Sequence, residues 1–364
     1  VVDTFAVAAM AAKILLVLIP LLNVAPIMVW AERRICSWMQ NRTGPNRVGP
    51  FGFFQPLADT LKFIFKEEFV PGHVRKTYYL LAPAIAVVPA FLTFAVIPFG
   101  PTVEIMGRQV ALQLSELNVG FVFVLAISSL SVYGTIMASW ASNSKYSMLG
   151  GLRSTAQMIS YELPLGLSLV SMIMVFGSVS LQEITLAQGK ALTLFGHEIS
   201  FLPNWGIFLQ PVAFVIFFTS VFAETNRLPF DLPEGEAEIV AGYHVEYGGM
   251  KWSLFFMAEY LHMTTASGMV AAIFLGGWQM IPGMPFLLNL LQLQGDVLYW
   301  ATVGLQVLSF VLKVVFLMIF FIVVRFTLPR FRYDQLMHLG WKILVPISLV
   351  NIVVTAFLIA YGVY

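Results

Sequence analysis

Runs of about twenty consecutive apolar residues recur along this chain, near 13–31, 78–99, 118–140, 155–177, 205–223, 252–277, 300–324 and 342–363. A run of that length, wound as a helix, crosses a hydrocarbon core about 30 Å thick. Barrel strands would be half as long and would alternate apolar with polar residues; these runs do neither, so a helical bundle is the architecture they imply. Composition closes off a soluble fold. The 364 residues are 59% hydrophobic and 11% charged, with a mean hydropathy of +0.84, and no stretch is polar enough to cover a water-facing surface. The expectation is an all-α integral membrane protein of about eight transmembrane helices, one polytopic domain over 1–364, with an interfacial amphipathic helix and structured loops on one side.

The basic residues orient that bundle. Sixteen of the twenty Lys and Arg fall in the loops 32–77, 141–154, 224–251 and 325–342. Lys13, Arg108 and Lys190 lie on the opposite side, and Lys313 lies inside a span. By the bias of cytoplasmic loops toward positive charge, the sixteen-residue side faces the cytoplasm or matrix. Eight crossings then return both termini to the other side, the periplasm of a bacterial cell. Within 53–68 (FFQPLADTLKFIFKEE), Phe54, Leu57, Leu61, Ile64 and Phe65 recur at helical spacing while Asp59, Lys62 and Lys66 take another face. The segment is too short to span, which suits a helix lying along the membrane surface; a plain loop helix packed on the bundle is the alternative.

Redox chemistry has little to stand on in these residues. Cys36 is the single cysteine, so neither a disulfide framework nor a thiolate iron-sulfur site can be built from the chain alone. Only His262 of the five histidines lies well inside an apolar run, which argues against a haem held between two helices.

Acidic side chains sit where lipid should exclude them. Glu162 lies about 7 residues, or roughly 10 Å, into the fourth run, and Glu259 is about as deep in the sixth. A carboxylate at the bilayer centre costs about 2.5–3.5 kcal/mol even on the lenient insertion scale, so each must face protein or water, and such positions are functional by default. The plainer reading is a carboxyl near a helix end that reaches water. Pro164, two residues after Glu162, frees a carbonyl near Ser160 that can hold water beside the acid. Lys313 is a second kind of buried ion, with a structural pair and a proton relay equally open. The loop 224–246 (ETNRLPFDLPEGEAEIVAGYHVE) gathers Glu224, Asp231, Glu234, Glu236, Glu238 and Glu246 against one base, Arg227. Glu234 and Glu238 would share a face if helical. Carboxylates crowded in a partly dry site repel one another, and some then titrate nearer neutrality, as proton-handling groups do.

Six strings carry a resemblance: AERR at 31–34, RTGPNRVGPFGFFQPLADTLKFIFKE at 42–67, WASNSKYSMLGGLRSTAQMISYELPLG at 140–166, AETNRLPFDLPEGEAEIVAGYHVEY at 223–247, FFMAEY at 255–260 and RFTLPRFRYDQLMHLGWK at 325–342. With them the chain resembles the quinone-site membrane subunit of respiratory complex I, the family that unites the bacterial NADH-quinone oxidoreductase H subunits with mitochondrial subunit 1. The resemblance implies a component of a proton-pumping translocase in the bacterial inner membrane, whose cytoplasmic loops dock peripheral subunits and form the entrance and wall of a quinone chamber. It places Arg34, Asp59, Lys62, Arg227, Phe230 and Asp231 at the chamber. It places Glu162, Glu224, Glu234, Glu236, Glu238, Glu246 and Glu259 on an acidic proton path, and it matches Lys313 by its distance before Arg325. Some members carry an acid where this chain has Ser128, Ser129, Leu130 and Ser131. The loop 178–204 matches no motif.

The resemblance also implies that quinone is a substrate, that no cofactor or metal is held by this chain, and that FMN and iron-sulfur clusters belong to partner subunits. The implied partners are the other membrane subunits, the peripheral iron-sulfur and quinone-site subunits, and the lipid bilayer; nucleic acid is not among them. Two alternatives share some of these features: the related membrane component of energy-converting hydrogenase-type complexes, and a stand-alone proton-coupled transporter. The long GPNRVGP-to-LAD segment and the RFRYDQLMHL string favour the quinone-linked enzyme, and the absence of internal repeats weighs against a transporter.

Overall fold

The computed structural model describes residues 4–105, 107–194, 197–232, 235, 240–285, 288 and 294–363. It is a helical protein. The principal helices are α1 (Thr4–Met39), α2 (Gln55–Phe65), α3 (Lys76–Phe94), α4 (Gly120–Ala141), α5 (Lys145–Phe176), α6 (Leu181–Ala187), α7 (Gly206–Leu209), α8 (Pro211–Glu224), α9 (Gly249–Phe274), α10 (Gly295–Thr327), α11 (Tyr333–His338) and α12 (Val345–Ala360). A π-helical stretch, Leu339–Leu344, joins α11 to α12 into one rod. Two short antiparallel hairpins decorate the loops: β1 (Thr102–Ile105) with β2 (Arg108–Ala111), and β3 (Ala191–Leu194) with β4 (His197–Pro203). The second hairpin, with α6, occupies the loop 178–204 that matched no motif.

Among the described residues, six helices are long and apolar enough to cross a membrane: α1, α3, α4, α5, α10 and the α11–α12 rod. Of the other two apolar runs, α8 is a helix of 14 residues. The second, α9, has 26 residues but also carries Lys251, Glu259 and His262. Its apolar residues are spread around the whole circumference, and from Tyr260 to Phe274 nearly every side chain is buried. A helix that is apolar all round belongs at the centre of a bundle, and α9 packs against α1, α3 and α10. At the periphery, α1 and the α11–α12 rod turn residues such as Leu16, Ile19, Val350 and Phe357 outward.

The fourth run begins ten residues earlier than its hydropathy suggests. Helix α5 starts at Lys145, and Gly150 and Gly151 let its first turns pass close beside the Gly242 backbone and the Ser139 side chain. A Cβ at Gly150 would lie 2.5 Å from Gly242 Cα, and one at Gly151 would strike the Ser139 hydroxyl. Glu162 therefore sits mid-helix. The loop after α8 is fastened to α5. Gln157 Nε2 donates to the carbonyls of Ala223 and Phe230, both at 2.8 Å, and to Asn226 Oδ1. Ser147 Oγ donates to the Tyr243 carbonyl at 3.0 Å. Tyr161 donates to the Leu336 carbonyl at 2.8 Å, tying the start of the last rod to the same helix.

Candidate functional site

Three elements that are far apart in sequence converge on one carboxylate. Glu32, near the end of α1, accepts hydrogen bonds from Arg325 Nη1 at 2.5 Å, Tyr260 Oη at 2.5 Å and Arg227 Nη1 at 3.3 Å. The Arg227 guanidinium also lies over the Tyr260 ring, 4.2 Å from its centroid, and its Nη2 is 3.8 Å from Glu259 Oε2. Burial alone would favour its neutral form, but Tyr260, Glu32 and Glu259 outweigh burial and hold it well above the usual arginine range. Arg227 is thus a permanent buried cation between two carboxylates. Buried ions persist when paired and hydrogen-bonded in this way.

Two cavities of ligand size flank α1 beside this cluster. One, of about 350 Å³, is polar and is lined by Glu32, Arg33, Cys36, Ser37, Arg42 and Arg325 among others. The second, of about 380 Å³, is walled by Val24, Ile27, Met28, Trp30, Ile35 and Trp38 of α1 and by Val315, Met318 and Ile319 of α10, with Arg34 as its charged group. The Arg34 guanidinium donates to the Pro45 carbonyl at 3.2 Å and stacks near Trp38 and Phe51.

The expected chamber residues divide. Arg34 and Arg227 stand at the cavities or the cluster behind them. Asp59, on α2, pairs with Arg33 at 2.9 Å and so borders the polar cavity. Lys62 is exposed on α2. Phe230 is buried between Tyr161 and Phe331, and Asp231 is held by Arg330 at 3.1 Å; both fix the loop against α5 and the 325–342 segment rather than lining either cavity.

The acids divide as well. Glu259 accepts from Tyr243 Oη at 3.3 Å. Beyond it lies a cavity of about 30 Å³ bounded by Glu259, His262 and Glu224, and then one of about 40 Å³ bounded by His262, Glu224 and Ser128. Ser128, whose hydroxyl donates to the Leu125 carbonyl at 3.1 Å, shares this cavity with Glu224, and Glu224 is close enough to Glu162 for the two carboxyls to repel. Ser128 thus stands beside the acids. Glu246 lies apart: its carboxylate is 3.7 Å from His73, and its carbonyl accepts from Tyr79. Glu234, Glu236 and Glu238 lie outside the described residues. Pro164 lies inside α5, and the Ser160 hydroxyl one turn before it donates to the Ala156 carbonyl and accepts from the Trp341 indole.

Lys313 pairs with backbone. Its Nζ donates to the carbonyls of Gly277 at 2.9 Å and Gln279 at 2.7 Å and lies 4.7 Å from the Trp205 ring centroid.

Sequence reasoning overlooked Glu32, Tyr260, Tyr243 and Arg325 as parts of one site. In AERR the acid closes an apolar run and is followed by two arginines, which make it look like an ordinary surface charge.

The NADH dehydrogenase family model matches residues 12–356. Over 352 residues the chain is 48% identical to an H subunit of the NADH-quinone oxidoreductase of Geobacter sulfurreducens, covering 96% of each. The chain belongs to the family of NADH-quinone oxidoreductase H subunits. Similar relatives include an H subunit of the same oxidoreductase in Geobacter metallireducens, 48% identical over 96% of this chain and 95% of that one. The corresponding H subunit of Protochlamydia amoebophila is 46% identical over 92% of each. The span matched by the family contains the Glu32 cluster, the residues lining both cavities, and the acids of α5, α8 and α9.

Proposed function

We propose that this chain is the membrane-arm subunit of a proton-pumping NADH:quinone oxidoreductase, walling its quinone chamber and passing charge from that chamber to a line of acids in the membrane. The observation that carries the reading is the Glu32 carboxylate, which lines a ligand-sized cavity and is bound to the same buried Arg227 that lies 3.8 Å from Glu259. A quinone is an apolar tail with a polar head. The apolar cavity between α1 and α10 suits the tail, and the polar cavity on the neighbouring face of α1 suits the head.

In this reading the chain crosses the bilayer eight times, with α8 and α9 as the fifth and sixth spans, in a bacterial inner membrane with both termini periplasmic. Helix α2 lies in the interface: Leu57, Leu61, Ile64 and Phe65 are exposed on its surface, the apolar face such a helix sinks into lipid. Arg34, Asp59 and Lys62 mark the entrance, while Phe230 and Asp231 hold the loop that presents Arg227. Reducing a quinone takes two electrons and two protons, and the electrons come from a docked iron-sulfur partner whose own neighbours carry the FMN. As charge changes at the quinone head, the Glu32–Arg227–Arg325 cluster redistributes it, and Glu259, Glu224 and Glu162 titrate in response as a coupled set. By their place in the sequence alone, Glu234, Glu236, Glu238 and Glu246 are read as further members of the acidic path.

The test is to purify the tagged chain from its membrane in mild detergent and assay the particle for NADH:quinone reductase activity with and without rotenone or piericidin. Inhibitor-sensitive activity in a large iron-sulfur particle supports the reading. A chain that purifies alone, or with a hydrogenase and no quinone activity, overturns it.

A further inference from the structure

Three residues after Glu259, and so on a neighbouring part of the same helix face, α9 carries His262. One ring nitrogen donates to the Ala86 carbonyl of α3. The other, Nε2, is sealed from solvent and has no hydrogen-bond partner among the described residues. A buried imidazole nitrogen left without a partner costs about 1–3 kcal/mol, so its surroundings should offer one.

They offer two small cavities, each walled mainly by apolar side chains but holding a carboxylate and hydroxyl groups. His262 lines both the cavity of about 30 Å³ that it shares with Glu259, Tyr243 and Glu224 and the cavity of about 40 Å³ that it shares with Glu224 and Ser128. A water needs about 10–15 Å³ and at least two polar partners, and each cavity supplies both. The titratable groups around the imidazole are Glu259 of α9, Glu224 of α8 and Tyr243 of the loop; α4 contributes only hydroxyls (Ser128, Ser131 and Thr135), and α3 contributes the Ala86 carbonyl.

We propose that His262 is the proton-carrying link between Glu259 and Glu224, each reached through water in its cavity. This rests on the reading of those acids as a proton path. In the transfer Nδ1 keeps its proton on the Ala86 carbonyl. Protonated Glu259 gives up its proton through the intervening water, Nε2 takes it and forms one N–H bond, and Nε2 then releases it through water to the Glu224 carboxylate, breaking that bond. The ring ends neutral, as it began, and one proton has moved. Imidazole fits this task because one ring nitrogen can bind and release a proton while the other keeps its hydrogen bond. Without it, the excess proton would have to cross as hydronium in a dry, low-dielectric space.

A merely structural histidine needs only its donor to Ala86. His262→Gln keeps a donor of similar reach and cannot carry a proton; His262→Asn is a second, smaller replacement should the glutamine variant assemble poorly. Both are to be read in the intact complex, in proteoliposomes, beside Glu259→Gln and Glu224→Gln. The readouts are complex yield, NADH oxidation by ferricyanide, quinone-coupled proton uptake and its pH profile.

The proposal expects normal yield and ferricyanide activity, at least tenfold slower coupled proton uptake in the His262 variants, and a pH profile that loses one titrating limb. If the two acid variants are slow while the His262 variants match the wild type in rate and pH profile, the His262 link is overturned and the acid path stands. Wild-type pumping in all four variants overturns the path reading and the link with it.

Discussion

Removing the Glu32 side chain should be among the most damaging single changes in this chain. Glu32→Ala deletes the acceptor for Arg325, Tyr260 and Arg227 together. Arg227 is buried, and its next carboxylate, Glu259, stands 3.8 Å from Nη2. At an effective dielectric of about 20, a pair 3.3 Å apart attracts with about 5 kcal/mol and one 3.8 Å apart with about 4 kcal/mol, so Glu259 retains only part of the compensation. Stranding one partner of a buried ion pair costs about 3–5 kcal/mol after relaxation, whereas replacing both partners by apolar residues is often close to neutral. Glu32→Ala should therefore lower the thermal midpoint of the detergent-solubilised complex by several degrees and reduce its yield. The double variant Glu32→Met with Arg227→Met should be less destabilised than the sum of its two single changes. The assay is a double-mutant cycle on thermal midpoints, followed by loss of inhibitor-sensitive quinone reductase activity. A wild-type midpoint for Glu32→Ala, or strict additivity across the cycle, would show that the cluster is not coupled as its distances indicate.

Two further outcomes follow from other parts of the fold. Lys313→Leu leaves the Gly277 carbonyl without its donor, at about 1–3 kcal/mol, and the Gln279 carbonyl with Ser309 alone, so complex yield should fall while turnover per assembled complex is kept; normal yield with slow turnover would instead make Lys313 a relay. Burial, and then the neighbouring Tyr79, push the Tyr247 phenol up. Above the ordinary phenol value of about 10 the folded chain therefore retains a proton that the unfolded chain releases. Stability should then fall by about 1.4 kcal/mol per pH unit as pH rises through that window. Tyr247→Phe should flatten the slope in thermal midpoints measured between neutral and alkaline pH, and an unchanged slope would refute the attribution.

The sequence reveals most where the membrane dictates the answer. Apolar runs of spanning length, the helical spacing of Leu57, Leu61 and Ile64, and the improbable depth of Glu162 and Glu259 all follow from the cost of exposing polar groups to lipid. What hydropathy does not report is helix that continues through a polar stretch: α5 begins at Lys145, where Gly150 and Gly151 admit the Gly242 backbone and the Ser139 side chain as close neighbours. Partners supplied by backbone are equally silent. Nothing in the composition near Lys313 announces that the carbonyls of Gly277 and Gln279 will hold it. Glu32 was hidden by the two arginines that follow it, since an acid in a charged string looks solvated until the fold brings Arg227 and Arg325 over from elsewhere.

The claim that quinone binds along α1 beside the Glu32 cluster is tested most directly by photolabelling the intact complex with a quinone that carries a photoreactive group on its head or its tail. The labelled residues would be mapped by mass spectrometry. Head-group label on the polar cavity, among Glu32, Ser37, Thr43 and Phe326, with tail label among Ile27, Trp30 and Ile319, and loss of both on addition of a competing inhibitor, is the predicted result. Label confined to other subunits, or found on this chain away from both cavities, would contradict it.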